Sequence, residues 1–456
     1  MHPLLILLLG MATVLVAIIA FRVNAFLALI GAAILVSVLA PGDPATKIAR
    51  VADGFGRTAG SVGVVIALAA VIGAAMTESG AADRIVGGFL NLLGERHDAV
   101  ALGATAFVLS LPVFFDTVFF LLAPLARSMY ARTNRQYLKY LLAMTSSGVA
   151  THTLVPPHPG PLGVADALGV DLGLMVLMGV VVALPSAIVG FQFARWRDRT
   201  MPIPMRVPIA AHAAPEAQAA LPALLPSLLP VVLPVLLIAS NTIVDALRTR
   251  DAARAALWAA ARPVTATIGH PVTALFVSAV IAMWLYARRR RPTRQELAEL
   301  VERSLMGAGI VILIVAAGGA FGASLQATGI GPVIQGAFAR GVSNPGLTVL
   351  LLAFVITMVI RAAQGSSTVA MITTAGMLGA MVKGIALPYH TVYIGTAIAS
   401  GSLMASWMND AGFWIFSKVG GATEAETFRS WTPLLSIVGL TGLATTLLLA
   451  RLLPLR

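Results

Sequence analysis

The sequence has 456 residues, of which 58% are hydrophobic and only 11% are charged. Soluble domains carry about 25% charged residues, so this chain is too apolar to form a water-soluble surface and must use lipid as its solvent over much of its length. The formal net charge of +12 comes from basic residues in short clusters between apolar runs. This pattern is typical of loops that fix membrane topology. It argues against a nucleic-acid-binding protein, in which basic and aromatic residues share one face.

The apolar runs predict an all-α polytopic membrane protein. A helix needs about 20 apolar residues to cross a bilayer, and because several runs are short or interrupted we expect about 11 to 14 membrane segments. The first run lacks the positive start and the cleavage site of a signal peptide, so we interpret it as a retained helix. The runs lie near 3–20, 24–40, 59–77, 98–126, 137–155, 172–194, 223–244, 264–286, 305–326, 346–361, 366–382, 387–408 and 432–453.

Two polar segments interrupt this pattern. RWRDRTMPIPMRVPIAAHAAPEAQ at 195–218 is rich in Arg and Pro, and ARRRRPTRQELAELVERS at 287–304 is the densest basic run of the chain. The positive-inside bias predicts that both are cytoplasmic. We therefore expect an N-terminal half over 1–194, a polar cytoplasmic connector over 195–222 and a C-terminal half over 223–456.

The two halves resemble each other at matching positions, which are separated by 249 to 253 residues. Duplicated halves with interrupted segments are typical of secondary transporters, whose substrate site lies between the repeats. We therefore predict two inverted repeats, although chance similarity among Gly- and Ala-rich helices stays an alternative. The matched pairs are Ser79–Gly80 with Thr328–Gly329, Asp116–Thr117 with Gly365–Ser366, Ser147–Gly148 with Ser400–Gly401, and Pro156–Pro157 with Asn409–Asp410.

Four stretches place small, polar or helix-breaking residues inside apolar runs. Such breaks are tolerated at membrane depth only where protein or a water-filled cavity surrounds them. There, half-helix N-termini offer N–H groups to an anion and open carbonyls suit a cation. We expect broken helices and re-entrant hairpins that meet at one substrate site. The stretches are SLPVFFDTVFF at 110–120, SSGVATHTLVPPHPGP at 146–161, RAAQGSSTVAMITTAG at 361–376 and ASGSLMASWMNDAGF at 399–413.

Ionisable residues within these stretches are functional candidates because they are costly in an apolar span. Asp116 is a candidate proton carrier, with a structural capping carboxylate as the alternative. His158 lies between prolines and is either a second proton group or structural, whereas we interpret His152 as structural. Arg361 suits a substrate carboxylate because its planar fork binds one bidentately, and the alternative is that it snorkels to the interface.

The predicted substrate contacts come from three of the four breaks. Arg361 and the hydroxyls of Ser366–Thr368 would hold a carboxylate, and opened backbone near Ser147–His158 and Asn409–Asp410 would hold hydroxyls. The full predicted set is Ser147, Gly148, Thr151, Pro157, His158, Arg361, Gln364, Gly365, Ser366, Ser367, Thr368, Asn409 and Asp410 for the substrate, with Asp116 and His158 for the proton.

At these residues the chain resembles the gluconate permease family, also called the gluconate:proton symporter or GntP family. The resemblance is strongest in THTLVPPHPGP and is supported by RAAQGSSTVAMITTAG and SWMNDAGFW. It implies a multi-pass symporter of the bacterial inner membrane that imports gluconate or a related small hydroxy-monocarboxylate with a proton. It also implies the ion-transporter superfamily fold, with inverted repeats, elevator-like motion and a homodimer. The family usually has Glu where Asp116 stands, which leaves aldonates, uronates, glycerate and D-serine open as substrates.

Other functions fit the sequence less well. The chain has no cysteine, which excludes thiolate metal sites, and we expect no metal ion, no cofactor and no enzymatic activity. An intramembrane hydrolase would pair Ser with His, but a twofold repeat gives no reason for one active site. Channels use rings of residues repeated across identical subunits, whereas these breaks differ between halves. A sodium-coupled anion transporter stays an alternative, because carbonyls and hydroxyls at Gly365–Ser367 suit Na⁺.

Overall fold

The computed structural model describes residues 2–21, 23–93, 97–206, 221–250, 255–330, 333, 344–382, 386–408 and 410–455. These residues contain helices and connecting segments and no β-strand. The helices with defined bounds are α1 (Pro3–Ile19), α2 (Ala25–Leu39), α3 (Pro44–Glu78), α4 (Ala81–Leu93), α5 (Asp98–Leu109), α6 (Phe115–Thr133), α7 (Tyr137–Leu154), α8 (Pro159–Leu168), α9 (Leu172–Thr200), α10 (Leu224–Arg250), α11 (Ala255–Ile268), α12 (Pro271–Arg290), α13 (Arg294–Gln326), α14 (Pro345–Gln364), α15 (Ser367–Val382), α16 (Val392–Gly401), α17 (Ala411–Gly420) and α18 (Glu424–Leu452).

Seven helices of the described chain are long and apolar enough to cross a membrane. Other apolar helices have only 10 to 17 residues, and among them are α5, α15 and α16, which flank the predicted breaks. The prediction of an all-α polytopic membrane protein is confirmed. The seven spans are Pro44–Glu78, Leu172–Thr200, Leu224–Asp245, Pro271–Arg290, Arg294–Gln326, Pro345–Ala362 and Glu424–Leu452.

Three of the predicted segment boundaries are wrong. The run 98–126 is two helices, α5 and α6, and the run 264–286 is divided between α11 and α12. The basic segment 287–304 is not a polar connector, because α12 continues to Arg290 and α13 begins at Arg294. The cause is a capping box, in which Thr293 and Glu296 each bond the other's backbone N–H and start α13 inside the charged run.

Several contacts gather helix ends at one end of the bundle, which we call the arginine-rich end. The Tyr140 hydroxyl donates to the Asp98 carboxylate at 2.5 Å, which links α7 to the start of α5. The backbone N–H of Lys139 donates to Asp198 near the end of α9 at 3.1 Å. Arg206, which follows α9, forms an ion pair at 2.6 Å with Glu426 in the first turn of α18.

The second basic run lies at the same end. Thr242 of α10 donates to Asp171 before α9 at 2.6 Å, so α10 runs antiparallel to α9 and starts at the arginine-rich end. The start of α10 packs on Gly88 of α4, which directly follows α3. Arg290 at the end of α12 donates to the carbonyl of Glu78 at the end of α3, at 2.9 Å. Both predicted basic segments therefore share one end of the bundle.

A second group of contacts defines the opposite end. The Tyr389 hydroxyl donates to the Gly346 carbonyl at 2.5 Å, which places the start of α14 beside the segment before α16. The N–H of His390 donates to the Pro454 carbonyl at 2.8 Å, just after the end of α18. On α15, a Cβ at Gly379 would lie 2.5 Å from the Ala167 carbonyl, so the later turns of α15 lie beside the end of α8.

These two ends fix the path of the interrupted helices. Helices α5 and α6 form a hairpin that enters from the arginine-rich end, because α5 begins there and Arg127 of α6 donates to the Val419 carbonyl at 2.5 Å, close to Glu426 of α18 in sequence. Helices α14 and α15 form a hairpin that enters from the opposite end. The pairs α7–α8 and α16–α17 cross the bundle in opposite directions, each with an interruption midway.

Glycines allow the closest helix contacts in the bundle. In membranes helices associate through small residues that let backbones approach, since lipid removes the hydrophobic drive between helices. A Cβ at Gly54 of α3 would lie 2.8 Å from the Cβ of Ala323 of α13. A Cβ at Gly322 of α13 would lie 3.0 Å from the carbonyl oxygen of Gly376 of α15. This second contact joins the long helix α13 to the hairpin helix α15.

The α13–α15 contact predicts a position-specific effect of one methyl group. Gly322→Ala should destabilise the protein by about 1–3 kcal/mol, because the two backbones must separate to admit the Cβ. The matched control is Gly309→Ala on the same helix, where a Cβ meets no atom within 4 Å. Thermal unfolding of the purified variants in one detergent measures the difference. Equal unfolding midpoints would contradict the tight contact.

Candidate substrate site

The four interruptions surround one central region, and each contacts the next. The Phe114 ring before α6 lies 5.6 Å from the His158 ring before α8. A Cβ at Gly160 of α8 would lie 3.5 Å from the Cα of Thr368 in the first turn of α15. The remaining two links are the ion pair of Arg361 of α14 with Asp410 before α17, and the ring contact of Phe119 of α6 with Phe416 of α17 at 5.8 Å. The four interruptions thus form a closed ring.

Aromatic rings hold the two N-terminal interruptions together. His158 is buried, and its Nε2 lies 2.6 Å from the carbonyl oxygen of Ser110 at the end of α5. Because a carbonyl only accepts, Nε2 carries the hydrogen. The His152 and His158 rings lie 4.1 Å apart, and the Phe114 ring lies 5.6 Å from each. The Oγ of Ser110 and the Nδ1 of His152 are buried and have no hydrogen-bond partner in the described part of the chain.

A buried charge network holds the two C-terminal interruptions together. Arg361 is only 2% exposed, and its guanidinium donates to the Gly365 carbonyl, to the Asp410 carboxylate and, at 3.0 Å, to the hydroxyl of Ser406. Ser406 in turn donates to Asp410 at 2.5 Å and accepts from the indole N–H of Trp431 at 2.7 Å. The network ties the end of α14 to the loop between α16 and α17.

The structure changes the interpretation of Arg361. The snorkelling alternative is wrong, because the side chain is buried and paired. The carboxylate that we expected from a substrate is supplied by Asp410 of the chain itself. Gly365 is essential to this geometry, since its φ of +85° lies in the left-handed region that side chains with a Cβ avoid. Arg361 therefore holds the loop conformation and the position of Asp410.

The helices that begin at the interruptions differ in their caps. Asp410 accepts from the N–H of Gly412 at 2.9 Å, and Ser366 accepts from the N–H of Val369 at 3.3 Å. By contrast, α6 begins after Phe114 and α8 begins after His158 without a side-chain cap. The first N–H groups of a helix have no intrahelical acceptor and carry the positive end of its dipole. The starts of α6 and α8 are therefore suited to an anion.

One part of the predicted site is wrong. We expected opened backbone from Ser147, but α7 is continuous to Leu154 and the chain opens only at Val155. Thr151 donates to the Ser147 carbonyl at 3.1 Å inside the helix. A Cβ at Gly148 would lie 2.9 Å from the Phe115 ring, so this glycine allows close packing. These small residues remain helical because α7 is buried among other helices.

The other predicted residues have distinct positions. Pro157 is joined to Pro156 by a cis bond within the second interruption. Ser367 and Thr368 lie half-buried in the first turn of α15. Asn409 and the side chain of Gln364 lie outside the described residues. The sequence reasoning did not select Ser406 or Trp431. Ser406 belongs to the SWM motif beside Asp410, whereas the role of Trp431 depends on how α18 packs and has no signal in the sequence.

Asp116 is an exposed carboxylate near mid-membrane. It lies eleven residues before Arg127, whose side chain reaches the arginine-rich end. At 1.5 Å per residue this is about 16 Å, roughly half the thickness of a bilayer core of about 30 Å. A carboxylate at that depth faces water or protein and not lipid.

Comparison with known proteins agrees with this architecture. Residues 2–453 match the family model of GntP family permeases. The chain belongs to this family. The permease is 33% identical to the inner membrane permease YgbN of Escherichia coli K12, with 96% of each chain covered. It is 34% identical to a gluconate permease of Pseudomonas aeruginosa, over 94% of this chain and 93% of the relative. The permease is a multi-pass protein of the bacterial inner membrane.

Two solved structures share the fold at low sequence identity. MtrF of Neisseria gonorrhoeae, described as one of a class of antimetabolite efflux pumps, aligns with a TM-score of 0.64 and 13% identity over 92% of the permease and 93% of MtrF. The YdaH transporter of Alcanivorax borkumensis aligns with a TM-score of 0.60 and 14% identity over 100% and 99% of the two chains. Both comparisons concern the fold alone.

We expect loss of the buried Arg361–Asp410 ion pair to destabilise the permease more than loss of an exposed ion pair. Asp410→Asn should destabilise the permease by about 3–5 kcal/mol, because it leaves the buried Arg361 charge without its partner. The control is Arg262→Gln, which breaks the pair with Asp245, whose side chains are 50% and 38% exposed, and should cost about 0–1 kcal/mol. Thermal unfolding in detergent compares them. A larger loss in the Arg262 variant would contradict the assigned role of Arg361.

Proposed function

We propose that the permease imports gluconate or a related small hydroxy-monocarboxylate together with a proton. Gluconate permeases among its relatives support this substrate class, as does the L-idonate transporter of Escherichia coli K12, which is 29% identical over 96% of this chain. The observation that carries the proposal is the charge set of the central region. It combines two carboxylates, Asp116 and Asp410, with the buried guanidinium of Arg361.

The charges of this region couple proton and anion. Arg361 neutralises Asp410 through their ion pair. No basic side chain in the described residues forms an ion pair with Asp116. The start of α8 lies close to Asp116, because the Phe114 ring, two residues before Asp116, lies 5.6 Å from the His158 ring. An anion at the start of α8 is repelled while Asp116 is ionised, and protonation of Asp116 removes that repulsion. By thermodynamic linkage each ligand then raises the affinity for the other. The proton and the anion enter together, and loss of the proton on the cytoplasmic side promotes release of the anion.

The substrate carboxylate and hydroxyls have separate partners in this proposal. The carboxylate lies at the starts of α8 and α15, which approach each other at Gly160 and Thr368, and the hydroxyls of Ser366–Thr368 donate to it. The unpartnered Ser110 Oγ and His152 Nδ1 are suited to substrate hydroxyls. His158, fixed to the Ser110 carbonyl, orients this edge of the site and is the second candidate for proton transfer.

Two inverted repeats provide access from both sides of the membrane in this proposal. The oppositely directed hairpins α5–α6 and α14–α15 support the repeat, as does the opposite direction of α7–α8 and α16–α17. The ends of α3 and α13 add local support, because Gly80 and Gly329 have φ of +73° and +74°. The hydroxyls of Ser79 and Thr328 each donate to the carbonyl three residues earlier. Homodimer formation and elevator-like motion stay predictions from the family resemblance.

Proton coupling is favoured over sodium coupling by one contact. A sodium site at Gly365–Ser367 would need open carbonyls, but the Gly365 carbonyl accepts a hydrogen bond from Arg361. A cation at this carbonyl would also be repelled by the guanidinium.

Transport in proteoliposomes tests the coupling ion. With labelled gluconate outside, an alkaline interior should drive uptake above the level reached without a gradient, because release of the proton inside promotes release of the anion. An inward sodium gradient at equal pH on both sides should give no stimulation. Stimulation by sodium alone would overturn proton coupling, and uptake of labelled D-serine or glycerate in preference to gluconate would change the substrate.

Asp116→Asn tests the proton site. The amide is neutral at every pH, so the variant should exchange internal for external gluconate but should not accumulate gluconate under a pH gradient. Asp116→Glu should retain accumulation, and Asp53→Asn, which changes an exposed carboxylate of α3, is the matched control. Accumulation by the Asp116→Asn variant would assign the proton to another group.

A further inference from the structure

A run of arginines joins α12 to α13, and the proposed transport function does not use it. Five of the seven residues from Arg288 to Arg294 are arginines. The Arg288 guanidinium lies 5.3 Å from the centroid of the Trp284 ring, and Trp284 is 48% exposed. Arginine and tryptophan together at the end of an apolar helix are typical of the level of the lipid headgroups. The run therefore lies where phosphate groups of the bilayer are found.

An apolar groove lies between the two helices beside this run. Helices α12 and α13 both pack against α3. One flank of α13 lines the groove together with Met283 of α12, and the groove has a volume of about 720 Å³. Its apolar walls continue the exposed surface that faces the acyl chains, since Leu305 and Met306 are 43% and 72% exposed. The lining residues are Met283, Leu297, Ala298, Val301, Glu302, Leu305 and Met306.

We propose that this groove binds an anionic phospholipid, with its acyl chains along the groove and its phosphate at Arg288 and Arg291. Charge complementarity carries the assignment, because the segment 287–304 has six arginines against three glutamates, of which only Glu302 lines the groove. Arg290 is already engaged by the Glu78 carbonyl, whereas the side chains of Arg288 and Arg291 are exposed. Basic pockets between transmembrane helices at the headgroup level bind anionic lipids in this way.

Native mass spectrometry of the delipidated permease tests the site. The probes are phosphatidylglycerol and phosphatidylcholine with the same acyl chains, titrated separately, and the wild type should bind one phosphatidylglycerol more tightly than phosphatidylcholine. The double variant Arg288→Gln/Arg291→Gln should lower the affinity for phosphatidylglycerol by about 30-fold, from the contribution of each arginine near a lipid surface. The control Arg195→Gln/Arg199→Gln removes the same charge at the same end and should leave this affinity unchanged.

A second variant tests the groove itself. Ala298→Trp fills the space between α12 and α13 and should abolish the saturable binding of both lipids, while thermal unfolding verifies that the protein is folded. Equal affinities of the wild type for the two lipids, or equal losses in the two arginine double variants, would overturn the proposal. A dimer that Ala298→Trp converts to a monomer would assign the groove to a second copy of the chain.

Discussion

The centre of this permease depends on one constraint, which is that backbone polar groups at membrane depth need partners inside the protein. Each of the four interruptions releases carbonyl and N–H groups that a continuous helix would pair. The Gly365 carbonyl is paired by Arg361, and the Ser110 carbonyl lies against His158. His158 comes from another interruption than Ser110, and Arg361 bonds Asp410 of another interruption as well as Gly365 of its own. The side chains that satisfy the backbone therefore also bring the interruptions together. The convergence of the site is thus a consequence of hydrogen bonding and not only of apolar packing.

The interruptions of the two halves are held together by different kinds of side chain. The C-terminal interruptions use a buried guanidinium and a carboxylate, which fix a charge balance in the centre. The N-terminal interruptions use two imidazoles and a phenyl ring, and they leave the starts of α6 and α8 without side-chain caps. In a symmetric site the charged side chains and helix starts of the two halves would produce equal electrostatic fields. Here Arg361 and Asp410 of the C-terminal side neutralise each other. In the described part of the chain it is therefore the N-terminal side that has a carboxylate without an ion pair, Asp116, and helix starts without side-chain caps.

The sequence predicted those features that depend on local patterns. Long apolar runs gave the helices, and Pro, Gly and Ser clusters located all four interruptions, because these residues act on their own backbone. The Thr293–Glu296 capping box is visible in the sequence, but the arginines around it led us to predict a polar segment instead of a helix start. Side-chain partners were harder to predict. Arg361 looked available for a substrate because nothing near it in sequence shows that Asp410, 49 residues later, folds back onto it. Trp431 is also identified only by tertiary packing.

The position of Asp410 depends on contacts at both ends of α17. At its N-terminal end Asp410 meets Arg361, and at its C-terminal end three consecutive carbonyls are bound by side chains of other segments. Arg127 of α6 donates to Val419 at 2.5 Å, Tyr137 of α7 donates to Gly420 at 2.9 Å, and Arg206 donates to Gly421 at 3.2 Å.

Donors at a helix C-terminus satisfy its orphan carbonyls, and cations there oppose the negative end of its dipole. The same helix α6 that carries Asp116 therefore also holds the far end of the helix that begins at Asp410. Arg127 thus links the helix that carries Asp116 to the far end of α17. The contact between Arg127 and Val419 lies eleven helical residues, about 16 Å, from Asp116. It thus helps to fix the separation of the two carboxylates, on which the proposed coupling of proton and anion depends.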